Sequence, residues 1–208
     1  MAQMNIDLNN RIFMRDPSGI AVASLGQLVE GYAVAFGHED KINLLSLERS
    51  ERCEFLEFVR NVRERVQKHF GRTIMFEHGA VCAGTAVSCG VNRVHVHVVP
   101  YNRDTLTNEI KREFQCIASA STIEEMLDEL RSWDTARPYF WIEEGGKVFL
   151  FSYGEHRQSQ AVRRVLARKL GIADRWDWRT HPTVETAERI AKELATVCSG
   201  DRLHAAAV

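Results

Sequence analysis

Two histidines, His95 and His97, stand two residues apart in the segment Arg93-Val94-His95-Val96-His97-Val98-Val99-Pro100. Side chains alternate between faces along a β-strand, so Arg93, His95 and His97 share one face and Val94, Val96 and Val98 the other. The valine face suits a hydrophobic core. Three polar side chains in a row do not, because each polar group buried without a partner costs free energy. Their chemistry suits an anion. An imidazole with an ordinary pKa of about 6.5 is largely neutral at pH 7 and can attack phosphorus. An arginine can clamp a phosphate oxygen with forked N–H donors. Upstream, Gly79, Ala80, Ala83, Gly84, Thr85, Ala86, Ser88 and Gly90 form a small-residue loop whose backbone N–H groups can approach an anion. The Gly90 N–H, just before the strand, is a candidate oxyanion donor.

Other readings stay open. His95 and His97 can be a plain exposed sheet face, or a strand-borne His-x-His pair can chelate a metal. Val98-Val99-Pro100-Tyr101-Asn102 supplies no Glu to complete such a set. His78, Cys82 and Cys89 with His69 offer a zinc set, but without a CxxC knuckle. No metal is therefore expected, with zinc or another divalent ion as the alternative. Arg157, Arg163, Arg164, Arg168 and Lys169 make a basic helix face. It is either solvated, or Gln160 and Arg164 reach the histidine strand and hold a distal phosphate. Trp176 and Trp178 read as core or lid packing that can also stack on a base. Arg179 and His181 read as structural.

The elements that must position these residues are legible as patterns. Arg11–Met14, Ile20–Ser24 and Gly31–Phe36 read as an antiparallel meander, with Asp16-Pro17-Ser18-Gly19 as a turn. Phe55, Leu56, Val59, Val62, Val66 and Phe70 recur at helical spacing and predict a long helix, capped by Ser46 and stopped at Gly71. Thr73–Glu77 and Val91–Val99 read as strands, and Thr107–Phe114 and Thr122–Trp133 as short helices. Tyr139–Glu143 and Lys147–Phe151 read as a hairpin about Gly145-Gly146. A basic helix from about Gln158 to Leu170 turns Ala161, Val162, Val165 and Leu166 inward. A last helix, capped near Thr183, runs to about Val197. The order predicts an α+β fold with an antiparallel sheet and not an alternating βαβ pattern. Residues 1–105 are expected to form the catalytic domain, and residues 106–208 an α+β extension packed on it.

Composition narrows the class. Among 208 residues, 27 basic and 28 acidic side chains give a formal charge of −1. The global field therefore attracts neither nucleic acid nor a membrane surface. No apolar run reaches the roughly 20 residues of a membrane span. The start, MAQMNIDLNN, has no basic n-region or apolar h-region and does not read as a secretory leader. Cys53, Cys82, Cys89, Cys116 and Cys198 are scattered and odd in number, which points to reduced thiols in the cytoplasm.

The segment Arg93–Pro100 resembles the signature of the histidine-triad (HIT) nucleotide hydrolases and transferases: His-x-His-x-His-x-x, often followed by Pro. His95, His97, the hydrophobic spacers and Pro100 match, and Arg93 stands where the family has its first histidine. Ile12-Phe13, Ser24, Gly31-Tyr32 and the run Ile42-Asn43-Leu44-Leu45-Ser46-Leu47 are similar to the family's nucleotide-binding half. Glu77-His78-Gly79 is similar to a bacterial subgroup, and the resemblance spans residues 10–105. Ser159-Gln160, Arg163-Arg164 and Trp176-Asp177-Trp178-Arg179 resemble the C-terminal extension of some HIT-like proteins. They also resemble the second domain of a splicing-associated, debranching-related (CwfJ-type) group.

The resemblance implies a HIT-like antiparallel sheet with a long packing helix, carrying a nucleotide phosphoramidase, pyrophosphohydrolase or nucleotidyltransferase. It implies His95 as the nucleophile that forms a covalent nucleotidyl-histidine, and His97 as a hydrogen-bonding partner of the phosphate or leaving oxygen. Arg93 would clamp a non-bridging oxygen and depress the His95 pKa, or else mark a protein that binds nucleotides without turnover. His78 could take over the missing histidine's part. Ser24, His78, Gly90, Asn43 and Gln160 are the implied substrate contacts, with Ser24 meeting one ribose hydroxyl. The implied partner is a small-molecule nucleotide conjugate; nucleic acid and membrane are not expected, and a homodimer through the sheet and long helix is an option. The competing functions are a non-catalytic module for a nucleotide or nucleic-acid end, and a metal-dependent hydrolase with His95 and His97 as ligands.

Overall fold

Eight strands make one antiparallel sheet: β1 (Ile12–Asp16), β2 (Gly19–Ala23), β3 (Ala33–Phe36), β4 (Thr73–Gly79), β5 (His95–Pro100), β6 (Gln115–Ala120), β7 (Tyr139–Glu144) and β8 (Lys147–Ser152). Their spatial order is β1-β2-β3-β5-β4-β7-β8-β6. Among the described residues the α-helices are α1 (Arg49–Phe70), α2 (Leu106–Glu113), α3 (Ile123–Leu130), α4 (Ala161–Lys169) and α5 (Val184–Thr196). The computed structural model describes residues 8–37, 41–79, 93–103, 105–131, 138–154 and 158–196.

The strand alternation builds two cores. Ala21, Ala23, Ala33, Ala35, Met75, Val96, Val98, Trp141 and Leu150 face α1, α3 and α5. Val22, Val34, Ile74, Phe76, Phe140, Ile142 and Phe151 face α2 and α4. The protein is therefore α+β, with helices on both faces of an antiparallel sheet. The division expected at 105/106 falls between β5 and α2, and the sheet runs straight across it. β4 pairs with β7, placing Phe76 opposite Ile142 and Glu77 opposite Trp141. Arg63 of α1 adds an ion pair to Glu143 of β7 at 2.7 Å.

Local chemistry sets the element ends, with some departures from the sequence expectation. α1 starts on Glu48, which forms a capping box with Glu51, and not on Ser46. Ser46 belongs to a 3₁₀ turn (Leu44–Ser46) capped by Asn43. Gly71, at φ 83°, ends α1 as expected. The start of α2 is capped from a distance: Leu106 N–H and Thr107 N–H donate to the Glu144 carboxylate at 2.8 and 2.9 Å. Thr183 sends its hydroxyl to the loop after β2, donating to the Leu25 carbonyl and accepting from Gln27 N–H. β6 was not expected from the sequence. It is a half-exposed edge strand pairing with β8, and its short run Gln115–Ala120 carries too little apolar alternation to stand out. Among the described residues, no helix is long and apolar enough to cross a membrane.

Candidate functional site

The histidine strand lies near the middle of the sheet, where its neighbours wall it in. β5 pairs with β3, setting His95 opposite Phe36 and His97 opposite Val34, and with β4, setting His97 opposite Phe76. Val94, Val96 and Val98 are fully buried against the α1 side. His95 and His97 project from the other face into a cavity of about 220 Å³. Leu8, Val22, Leu25, Val34, Phe36 and Trp178 give it apolar walls, and Arg11, Ser24, Gln160 and Arg163 line it with polar groups. It is smaller than the roughly 300–1,000 Å³ that encloses a drug-sized ligand. It can therefore enclose only part of a nucleotide.

A backbone hydrogen bond fixes the His95 proton. His95 Nδ1 lies 2.8 Å from the Arg93 carbonyl. A carbonyl can only accept, so Nδ1 carries the proton and Nε2 keeps its lone pair. That Nε2 is buried and, among the described residues, has no hydrogen-bond partner. His97 Nδ1 lies 3.0 Å from the Tyr32 hydroxyl, and its Nε2 is likewise buried without a partner. The His97 ring stacks on Phe76 at 4.5 Å and meets the His95 ring edge-on at 5.0 Å. Burial lowers the His95 pKa, with the Arg93 charge adding to the effect against the opposing carbonyl hydrogen bond. Burial and the charges of His95, His78 and Arg163 hold His97 well below its ordinary value. Both rings are neutral at pH 7.

Two guanidiniums are buried beside these rings. Arg163, on α4, is 1 % exposed. Its Nε donates to the Trp176 carbonyl at 2.9 Å and one Nη to the Gly26 carbonyl at 3.0 Å. It also lies 4.9 Å over the Tyr32 ring. Gly26 lets the loop approach this closely: a Cβ there would come within 2.6 Å of the Arg163 guanidinium and 2.7 Å of Trp178. Arg11 donates to the Ala23 carbonyl at 3.0 Å. Gln160, fully buried, sits at φ 58° just ahead of α4. This left-handed conformation is uncommon for a residue with a side chain. Its Oε1 is buried without a partner, while its Nε2 faces Asp177 at 3.4 Å. The site thus offers donors and acceptors that the described residues do not satisfy, the mark of a place that takes a polar ligand.

The residues singled out from the sequence divide accordingly. His95, His97, Ser24 and Gln160 come together in the cavity. Arg93 does not join them. β5 begins at His95, two residues after Arg93, so the guanidinium leaves the shared face. It donates to the Gly37 carbonyl at 2.7 Å, lies 5.1 Å over the Phe36 ring, and lines a separate hollow with Arg15, Asp16 and Gly19. Asn43 does not line the cavity either: its side-chain oxygen caps the 3₁₀ turn by accepting from Ser46 N–H at 2.9 Å. His78 lies against the histidine strand, 5.7 Å from the His97 ring, but outside the cavity lining. Its Nε2 faces the Val162 N–H at 3.4 Å, at the start of α4. Burial, helped by the charges of His95 and Arg163, lowers its pKa to about 3. Gly90, Cys82 and Cys89 lie outside the described residues. Arg164 stacks on Trp176 at 3.2 Å and does not line the cavity.

Sequence reasoning missed Arg11, Tyr32 and Arg163 as site residues. Only Arg163 left a signal. It lies beside Leu166 and Ala167, inside a buried arc wider than the four inward residues expected for α4. Glu77 is buried on the opposite face of β4. It accepts from Leu44 N–H, Trp141 Nε1–H and the Tyr139 hydroxyl, and burial raises its pKa to about 7. Its work is to join the start of the α1 segment to β7. Among the described residues, no group of three or more His, Cys, Asp or Glu side chains is placed to hold a metal ion.

No family model matches the chain, and no curated protein does. Among solved structures the chain is similar to a Hit-like protein involved in cell-cycle regulation from Bartonella henselae, crystallised with an unknown ligand. The two share 19% identity over 59% of this chain and 85% of that one, with a TM-score of 0.38. So distant a likeness carries no chemistry across, and what the cavity can do follows from its own atoms. A neutral imidazole with its free lone pair, a second neutral imidazole, two guanidiniums and an apolar wall suit a ligand with an anionic end and an apolar end.

Proposed function

We propose that the chain is a HIT-like nucleotide hydrolase or nucleotidyltransferase that acts on the α-phosphate of a small-molecule nucleotide conjugate through a covalent nucleotidyl-His95. The observation that carries this reading is the hydrogen bond from His95 Nδ1–H to the Arg93 carbonyl, which leaves a neutral, unpartnered Nε2 in the cavity. Attack by the Nε2 lone pair forms the N–P bond and breaks the bond from phosphorus to the leaving group. The imidazole becomes positive, and the Arg93 carbonyl holds its Nδ1 proton and stabilises the charge. We assign the Tyr32 hydroxyl as the donor to His97 Nδ1, 3.0 Å away, which places the His97 proton on Nε2. From there it hydrogen-bonds the leaving oxygen or nitrogen, which draws its own proton from solvent. Water or another acceptor then attacks phosphorus and gives its proton to solvent, and the N–P bond breaks to restore neutral His95.

The apolar wall of Phe36, Val22, Val34 and Trp178 suits a base or sugar, and Ser24 and Gln160 Oε1 suit its hydroxyl or amino groups. The resemblance of residues 10–105 and of the C-terminal motifs to HIT-like proteins supports the same reading. The test is turnover of a panel of nucleoside phosphoramidates and dinucleoside polyphosphates with and without a chelator. The reading expects turnover that is insensitive to the chelator and lost in His95→Ala. Tight binding of the panel without turnover would make the chain a nucleotide-binding module instead. Activity removed by the chelator and restored by Zn²⁺ or Mn²⁺ would make it a metal-dependent hydrolase.

A further inference from the structure

We propose that Arg163, and not Arg93, is the cation that binds the substrate's phosphate, so that α4 completes the site built on β5. The inference rests on the proposed function for its ligand, a nucleotide phosphate.

Three observations lead to it. First, Arg163 is 1 % exposed, and its guanidinium donates to the carbonyls of Trp176 and Gly26. Among the described residues it pairs with no carboxylate. Carbonyls satisfy its hydrogen-bonding geometry but leave its full charge uncompensated, and a buried charge without a counter-charge is costly. An anionic ligand removes that cost. Second, Arg163 lines the same cavity as His95 and His97. It lies over the ring of Tyr32, whose hydroxyl bonds His97. The cation is thereby tied to the reacting face through a single residue. Third, the competing cation is turned away: Arg93 is held by the Gly37 carbonyl and the Phe36 ring and lines a different hollow.

The protein holds Arg163 rigidly. Its bonds reach the loop after β2 at Gly26 and the loop after α4 at Trp176, so the guanidinium is fixed before any ligand enters. Arg11, the other guanidinium in the lining, can share the same anion. A fixed guanidinium also distinguishes the phosphorylated ligand from the bare nucleoside, which fills the apolar wall but leaves the charge unmet.

The test compares binding of the four common nucleoside 5′-monophosphates with binding of their nucleosides to the full-length protein, by calorimetry. The wild-type protein is expected to prefer its best monophosphate over the matching nucleoside by about 10- to 100-fold, the scale of a charge-assisted contact. Arg163→Gln should abolish that preference while nucleoside affinity stays within about twofold. Arg163→Lys should keep part of it. Arg168→Gln removes a charge from the same helix and should leave it unchanged. An Arg163→Gln protein that melts cooperatively and still prefers the monophosphate overturns the inference, as does an equal loss in Arg168→Gln. If Arg163→Gln does not fold, the Arg163 Nε resonance of the wild-type protein decides: it must shift with the monophosphate and not with the nucleoside, and a stationary resonance overturns the inference. An Arg163-dependent preference with no turnover would defeat the enzymatic reading and leave this inference standing. Turnover through His95 with no role for Arg163 would do the reverse.

Discussion

The two faces of β5 are built from alternate residues of one strand, yet they obey different rules. Val94, Val96 and Val98 are fully buried under α1, and their side chains carry no polar atom that needs a partner. His95 and His97 are nearly as buried, but among the described residues each keeps an Nε2 without a partner, beside an Arg163 guanidinium without a counter-charge. Packing explains the valine face completely. It does not explain the histidine face, because apolar residues there would be less costly to bury. That contrast separates what holds this protein together from what it is for.

The sharpest way to break the comparison is to exchange a residue on each face. His95→Ala should lower turnover by about 10⁴- to 10⁶-fold, the scale seen when a nucleophile is removed. Its thermal stability should stay the same or rise, because an unsatisfied polar group has gone. A large loss of stability with normal turnover would reverse the assignment of the two faces. On the packing side, Phe58→Ala in α1 should cost about 3–5 kcal/mol of unfolding free energy by leaving a cavity. Turnover by the fraction still folded should be nearly normal.

A smaller effect tests the apolar wall. Trp178→Ala should raise KM by roughly 5- to 150-fold, the effect of about 1–3 kcal/mol of lost stacking on a base, and leave kcat nearly unchanged. A drop in kcat with constant KM would place Trp178 in the chemistry and not in binding.

Acidification probes both faces of the sheet at once. His78, at about 3, and His95 and His97, also lowered, stay neutral in the folded protein after the unfolded chain has protonated near 6.5. The unfolded state then binds more protons, so stability falls as pH drops below 6.5. Each such histidine contributes a slope of up to about 1.4 kcal/mol per pH unit. Glu77 works the other way: raised from 4.5 to about 7, it binds more protons when folded, and it favours the folded state as pH falls through that interval. The net loss should therefore steepen below about pH 4.5. His78→Gln should flatten the slope in urea titrations between pH 6.5 and 4.5, and an unchanged slope would contradict the buried neutral state of His78. Last in size, Asn43→Ala should cost about 1 kcal/mol by removing a cap and leave turnover untouched, since Asn43 does not line the cavity.

Much of this was legible in the sequence, for identifiable reasons. The alternation in Val94–Val98 and the helical spacing from Phe55 to Phe70 are local signals, and local geometry preserved them. The meander and the Gly145-Gly146 hairpin also followed from turn chemistry; both glycines take positive φ. Arg93 was misplaced because the shared face requires a continuous strand, and the strand starts only at His95. Asn43 carried a capping signal that was read as ligand contact: Ser46, three residues on, completes the box. Arg11 could not be read, and Arg163 could not be placed in the site, because the carbonyls of Gly26, Trp176 and Ala23 that hold them are brought close only by the fold. The strand pairing of β4 with β7 was equally hidden, since it joins segments 60 or more residues apart through no local pattern.

The nucleophilic role of His95 is tested most directly by intact-protein mass spectrometry after brief mixing with a panel of nucleotide conjugates and acid quench. The account predicts a gain of one nucleotidyl group on the wild-type chain, mapped to His95, labile to acid as a phosphoramidate is on longer exposure. Turnover with no adduct at any mixing time, or an adduct that persists in His95→Ala, would contradict it.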